Sequence, residues 1–269
     1  AEWDRDAQNA GLGLTFARAL RAAGHTRRAC RLVTDLTRRF PERQDDLLTE
    51  LESMLDGDAL ADAHRALWEL HIDRDETDAA LAHLQHAVAE TREADAMREL
   101  LEAAIRRMPD TPWVVCRMAE FECGNDREAR AEELLRGLLA RDPAQWPVLL
   151  DTVRSLPESA RTLGLRLLEI DCLLAGRQGA AALEALHRLR AGYPEERAVA
   201  IERYRLLVEQ KTAGLAAEGE LGGMLREAGL VDEAVAVMEA GLERAAAVGN
   251  TTGDDARAER ELRLMLAQL

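Results

Sequence analysis

The sequence predicts an all-α protein, and three observations carry the prediction. Ala, Leu, Arg and Glu dominate, whereas aromatics are 3% of the 269 residues and Val, Ile and Thr are too sparse to furnish a sheet. Apolar residues recur at helical spacing, as between Asp95 and Met108, where Met97, Leu100, Leu101, Ala104 and Ile105 share one face that must be buried. A common skeleton of small and large apolar positions then returns along the chain, which is the mark of stacked helical units.

The skeleton is plainest at residues 221 to 241, which read as a helix, a tight turn and a second helix. Its landmarks are Gly222, Leu225, Gly229 at the turn, Ala234, Met238 and Gly241. Near the start the same landmarks are Ala17, Leu20, Gly24, Ala29, Val33 and Leu36, with Pro41 as a stop. Steps of 34 from Ala29 reach Ala63, Met97, Ala131 and Leu165 and, after one inserted residue, Ala200 and Ala234. The same step from Pro41 reaches Asp75, Pro109, Pro143 and Arg177. Ala29, Ala80, Ala131 and Ala182 are also spaced by 51, which is three helices instead of two. Helices of about 17 residues satisfy both counts, and the prolines at 109 and 143 favour 34.

In order, the predicted units are 10–43, 44–77, 78–111, 112–145, 146–179, 180–214 and 215–248, closed by a capping helix at 254–269, all in one domain. The first, fourth and seventh units match the skeleton best. In the fifth, Pro157 falls between the helices and Leu165 replaces alanine; the sixth slips by one residue near Gly192 to Pro194. Helix stops are expected at Gly24, Gly57, Asp73 to Asp75, Gly124 to Asp126, Gly176, Gly229 and Gly249 to Gly253. Thr111 before Pro112 has the chemistry of a helix start. Alanine or glycine at the crossings lets helix axes approach, and Val33, Leu67, Leu101, Leu135, Tyr204 and Met238 fill the space between layers.

With these residues the chain resembles the tetratricopeptide repeat superfamily, whose 34-residue helix pairs carry small residues at the crossings and a proline near the end. The resemblance covers about residues 10 to 247 and implies a right-handed α-solenoid of antiparallel helix pairs. It also implies a concave groove lined by the first helix of each pair. The groove positions hold Arg18, Arg21, Asp45, Glu52, His83, His86, Trp113, Arg117, Glu120, Asp151 and Arg154, a mixed-charge surface suited to a polar peptide or protein partner. The lysine and asparagine clamp with which some relatives grip chaperone tails is replaced here by Arg18, Glu52, His86, Glu120 and Arg154, so no chaperone-tail adaptor is expected.

Other chemistry finds less support. A net charge of −15 argues against a nucleic-acid partner, and no run of 18 apolar residues provides a membrane span. Lys211 is the single lysine, so 34 of the 35 cations are arginine. Cys30, Cys116, Cys123 and Cys172 lack C-x-x-C spacing and sit in apolar helical patterns, as small buried thiols do. His64, His71, His83 and His86 belong to two adjacent helices, yet His64 and His71 share a face with Leu67 and no cysteine is near, so packing is expected and no metal. Asp73, Asp75 and Glu76 lack the glycine and terminal glutamate of a calcium loop. No phosphate-loop or triad signature stands out, and neither a cofactor nor catalysis is expected.

The expected function is a noncatalytic scaffold that binds a protein or peptide. The alternatives are a regulatory sensor domain that takes a small effector or signalling peptide, and a cell-envelope scaffold for polymer export or complex assembly. Unpaired cysteines favour the cytoplasm; a leader ahead of Ala1, where the chain begins without Met, would favour the periplasm.

Overall fold

The computed structural model describes residues 10–55, 60–248 and 253–268. Among these the chain forms fifteen α-helices and no strand, and helices pack on their neighbours in sequence as in an α-solenoid. They gather into two compact units, Ala1–Pro109 and Asp110–Leu269. The first contains α1 (Ala10–Ala22), α2 (Thr26–Arg39), α3 (Gln44–Glu52), α4 (Leu60–Asp73), α5 (Thr77–Glu90) and α6 (Ala94–Arg107). The second contains α7 (Pro112–Cys123), α8 (Glu128–Arg141), α9 (Trp146–Ser155), α10 (Leu163–Ala175), α11 (Gly179–Gly192) and α12 (Arg197–Gln210). It ends with α13 (Leu215–Glu227), α14 (Val231–Val248) and α15 (Gly253–Leu266).

Five hairpins close with one turn geometry. Gly24, Asp75, Asp126, Arg177 and Gly229 all have φ between 52° and 78°. At each, the turn residue's N–H bonds to the carbonyl three residues back, and the next N–H bonds to the carbonyl five residues back. The second bond of each set is His25 to Leu20, Glu76 to His71, Arg127 to Glu122, Gln178 to Leu173 and Leu230 to Leu225, at 2.8–3.0 Å. This pair of bonds satisfies carbonyls that the helix end leaves free. The turns fall 51 residues apart, with 52 at the last step. The backbone cycle is therefore three helices long: two form the hairpin and a third carries the chain onward.

The 34-residue count and this cycle coincide every 102 residues, which is why the first, fourth and seventh sequence units match best. Pro41 and Pro143 are 102 apart and cannot separate the two counts; Pro194 follows the 51-residue cycle and Pro109 does not. Between the hairpins the backbones differ: Thr91 is extended at ψ 116°, Glu158–Ala160 is a 3-10 turn after Pro157, and Lys211 is left-handed at φ 57° with its N–H on the Val208 carbonyl at 3.1 Å but without the second bond of the turn set. Two expected stops, Gly57 and the start of the Gly249 to Gly253 stretch, lie outside the described residues, as does Leu269 at the end of the capping helix.

The crossing positions are buried as expected, except Met97, which is only partly buried. Ala29, Ala80, Ala131, Ala182 and Ala234 occupy one place in the five hairpins and are fully buried, as are Val33, Leu84, Leu135 and Met238 four residues on. A Cβ added at Gly222 would stand 2.3 Å from the Met238 Cε, so glycine is what admits this crossing. Thr111 and Pro112 do start α7, but the Thr111 side chain makes no capping hydrogen bond.

Candidate functional site

The expected groove residues are divided between the two units. In the first, α1 and α3 present them on a shared face. Arg18 Nε donates to Glu50 Oε2 at 2.7 Å, and Arg21 Nη1 stands 3.6 Å from Glu50 Oε1 while also bonding Ser53. Glu50 is only 4% exposed, so the carboxylate is taken out of water and held by two guanidiniums at the surface. Glu52 lies on the same short helix and is exposed.

A second group joins Asp45, His83 and His86 through one polar chain. Asp45 pairs with Arg74 at 3.0 Å, Arg74 reaches Glu76 at 3.1 Å, and Glu76 Oε2 lies 2.5 Å from His71 Nδ1. The His71 ring stacks on His83 with centroids 5.2 Å apart; His83 Nδ1 faces His64 Nδ1 at 2.9 Å; His64 stacks on His86 at 4.7 Å. Hydrogen bonding between the opposed nitrogens requires one ring to donate and the other to accept, so the contact holds a single proton. Burial is the main reason that His83 is pushed down to about 4 from the usual 6.5, with the three neighbouring imidazoles adding to it. The same cause lowers His64, opposed in part by Glu90. The His71 hydrogen bond holds Glu76 below the ordinary carboxylate range. Among the described residues no group of three or more histidine, cysteine or acidic side chains is placed to hold a metal ion.

In the second unit, Trp113 is half-buried at the start of α7, and Arg117 pairs with Glu120 one turn on at 2.8 Å. Asp151 is exposed on α9. Arg154, near the end of that helix, donates to Glu169 of α10 at 3.0 Å, and Arg188 of α11 approaches the same carboxylate at 3.4 Å. Glu169 is buried, like Glu50. Beside this pair, Arg161 donates to the Leu156 carbonyl at 3.1 Å and Arg166 pairs with Glu158, so the loop after Pro157 is tied down by guanidiniums.

Glu50 and Glu169 were not singled out from the sequence, although each anchors predicted groove arginines. The available signal was an acid inside an apolar run, as in Leu167-Leu168-Glu169-Ile170, where ionised burial demands a cation. The four cysteines are free and buried. Burial pushes Cys30 and Cys123 up to about 11 and Cys172 to about 12, and raises Cys116, so all four stay protonated thiols at neutral pH. No helix among the described residues is long and apolar enough to cross a membrane. No protein-family model matches the chain, and no curated protein sequence is significantly similar to it.

Proposed function

We propose that the chain is a noncatalytic, tetratricopeptide-like scaffold that holds a protein or peptide partner on its polar helix faces, with its helices paired on the 51-residue cycle. The observation that supports this reading most directly is the repetition of one hairpin. Each copy spends its small and large apolar residues on the same internal crossings and leaves charged side chains, among them Arg18, Arg117 and Arg154, at the surface. Where α1 meets α3, and along α7 and α9, those side chains alternate in sign, which suits a polar ligand whose charges alternate in return. Trp113 provides an amphipathic ring beside Arg117, the residue types that dominate binding energy at interfaces.

Affinity capture with the wild-type chain, followed by mass spectrometry, identifies the partner. A Trp113→Ala, Arg117→Ala double variant should then recover much less of it, with helical content and melting temperature unchanged. Equal recovery by both proteins would remove the α7 face from the reading.

A further inference from the structure

We propose that the cleft between α13 and α15 in the second unit binds a small amphiphile with an apolar body and one carboxylate, with Arg226 as its counter-ion. The cleft has a volume of about 600 Å³, within the range of ligand sites in general, and its floor is the face of α13 that carries Ala216, Gly219 and Gly223. Leu264 and Met265 of α15 form the apolar wall, and Leu264 is 63% exposed.

The repeat supplies an internal control. One and two cycles earlier, the positions of Gly219 and Gly223 are Leu167 and Asp171 on α10 and Cys116 and Glu120 on α7. Asp171 fills its place with an ion network, taking Arg136 at 2.8 Å and Arg203 at 3.2 Å. On α13 the acid is gone and both side chains are missing. Packing does not require either glycine: a Cβ at Gly223 would meet nothing within 4 Å, and one at Gly219 would make only ordinary contacts, the nearest at 3.6 Å from Met265. Their neighbour Gly222 differs, because Met238 occupies the space of its missing side chain. Glycine inside a helix costs stability relative to alanine, so two such residues without a steric reason keep space open at a cost.

The third departure is Arg226, which stands where α10 has Leu174 and α7 has Cys123. The other arginines at the cleft are occupied: Arg190 by Glu220 at 2.6 Å and Arg257 by Glu261 at 3.0 Å. Arg226 is half-buried, and no carboxylate among the described residues pairs with it. Three departures from the repeat thus converge on one cleft and add room, an apolar floor and one available guanidinium. An apolar chain covers the glycine floor and Leu264, while its carboxylate takes the fork geometry of the guanidinium. This site is independent of the groove reading above.

The probe is decanoate below its micelle concentration, titrated calorimetrically into the full chain, with decanol and acetate as separate arms. Saturable one-to-one binding of decanoate is expected, with decanol at least tenfold weaker and acetate silent. Gly223→Leu should abolish decanoate binding while helical content and melting temperature hold or rise. Arg226→Gln should weaken decanoate at least tenfold and leave decanol unchanged; it keeps the test decisive if Gly223→Leu disturbs α13. Absence of saturable decanoate binding, equal affinity for decanol, or wild-type affinity in both variants would overturn the proposal.

Discussion

Acid should weaken the α4–α5 hairpin through its histidine stack, and the size of the effect follows from the geometry. His83 is held neutral at about 4 by burial and by its imidazole neighbours, against 6.5 when exposed. A histidine whose folded value is depressed stabilises the fold above the unfolded value and loses that contribution as pH falls from 6.5 toward 4. At pH 5 the unfolded side chain is almost fully protonated and the folded one is mostly neutral, a difference of about 2 kcal/mol, or about 1.5 kcal/mol once partial exposure is discounted. Most carboxylates remain ionised at this pH, and the His71 hydrogen bond holds Glu76 below the ordinary carboxylate range; Glu90, Arg74 and Asp45 are the other charged groups around the stack. For a unit of this size the loss corresponds to a fall in melting temperature on the order of 5–10 °C. The assay is thermal melting by circular dichroism at steps from pH 7.5 to pH 5. His83→Gln, whose amide can still bond His64, should show a flatter profile, with the difference concentrated in the transition of the first unit. Identical pH profiles for the two proteins would refute the argument.

Three further outcomes bear on packing and turns. Ala131 is fully buried at a helix crossing, so Ala131→Glu should cost at least about 3 kcal/mol and lower the melting of the second unit by more than 5 °C. Gly222→Ala should destabilise by about 1–3 kcal/mol through the clash with Met238, whereas Gly223→Ala, which meets nothing, should stabilise by about 0.5–1 kcal/mol; denaturant midpoints of the two variants should move in opposite directions. Arg177 adopts φ 52°, a left-handed conformation costly to a side chain, so Arg177→Gly should raise the denaturant midpoint by the equivalent of about 0.5–1 kcal/mol, and Gly229→Ala should lower it by a similar amount.

The parts of the fold written as apolar periodicity were legible in the sequence. Ala29, Ala63, Ala131, Ala200 and Ala234 are all buried, as are Val33, Leu67, Leu101, Leu135, Tyr204 and Met238, because counts that step by whole helices of this length land mostly on interior positions; Met97, in the same series, is only partly buried. The pairing of those helices was less legible for the same reason. The prolines at 109 and 143 favour one pairing, but proline marks only where a helix cannot continue, whereas the hairpin is set by a pair of turn hydrogen bonds around a left-handed residue that glycine, aspartate and arginine all supply here. Arg177 gives no turn signal by residue type. The candidate site was legible as surface positions and not as contacts. The spacing of the four histidines puts them on two adjacent helices, but nothing in it shows that Glu76 and Arg74 carry their chain on to Asp45 of α3.

The five matching turns also make part of the protein a natural cassette. Joining Asp126 directly to Gln178 would remove one whole cycle and place α7 ahead of α11 across the same pair of turn hydrogen bonds that α7 now makes with α8. Excision of 34 residues would instead fuse a hairpin helix to a connecting one and bring apolar crossings opposite surface charges. Natural shortening or lengthening of such a chain by duplication would therefore proceed in triplets of helices, and the length of its array is counted in threes.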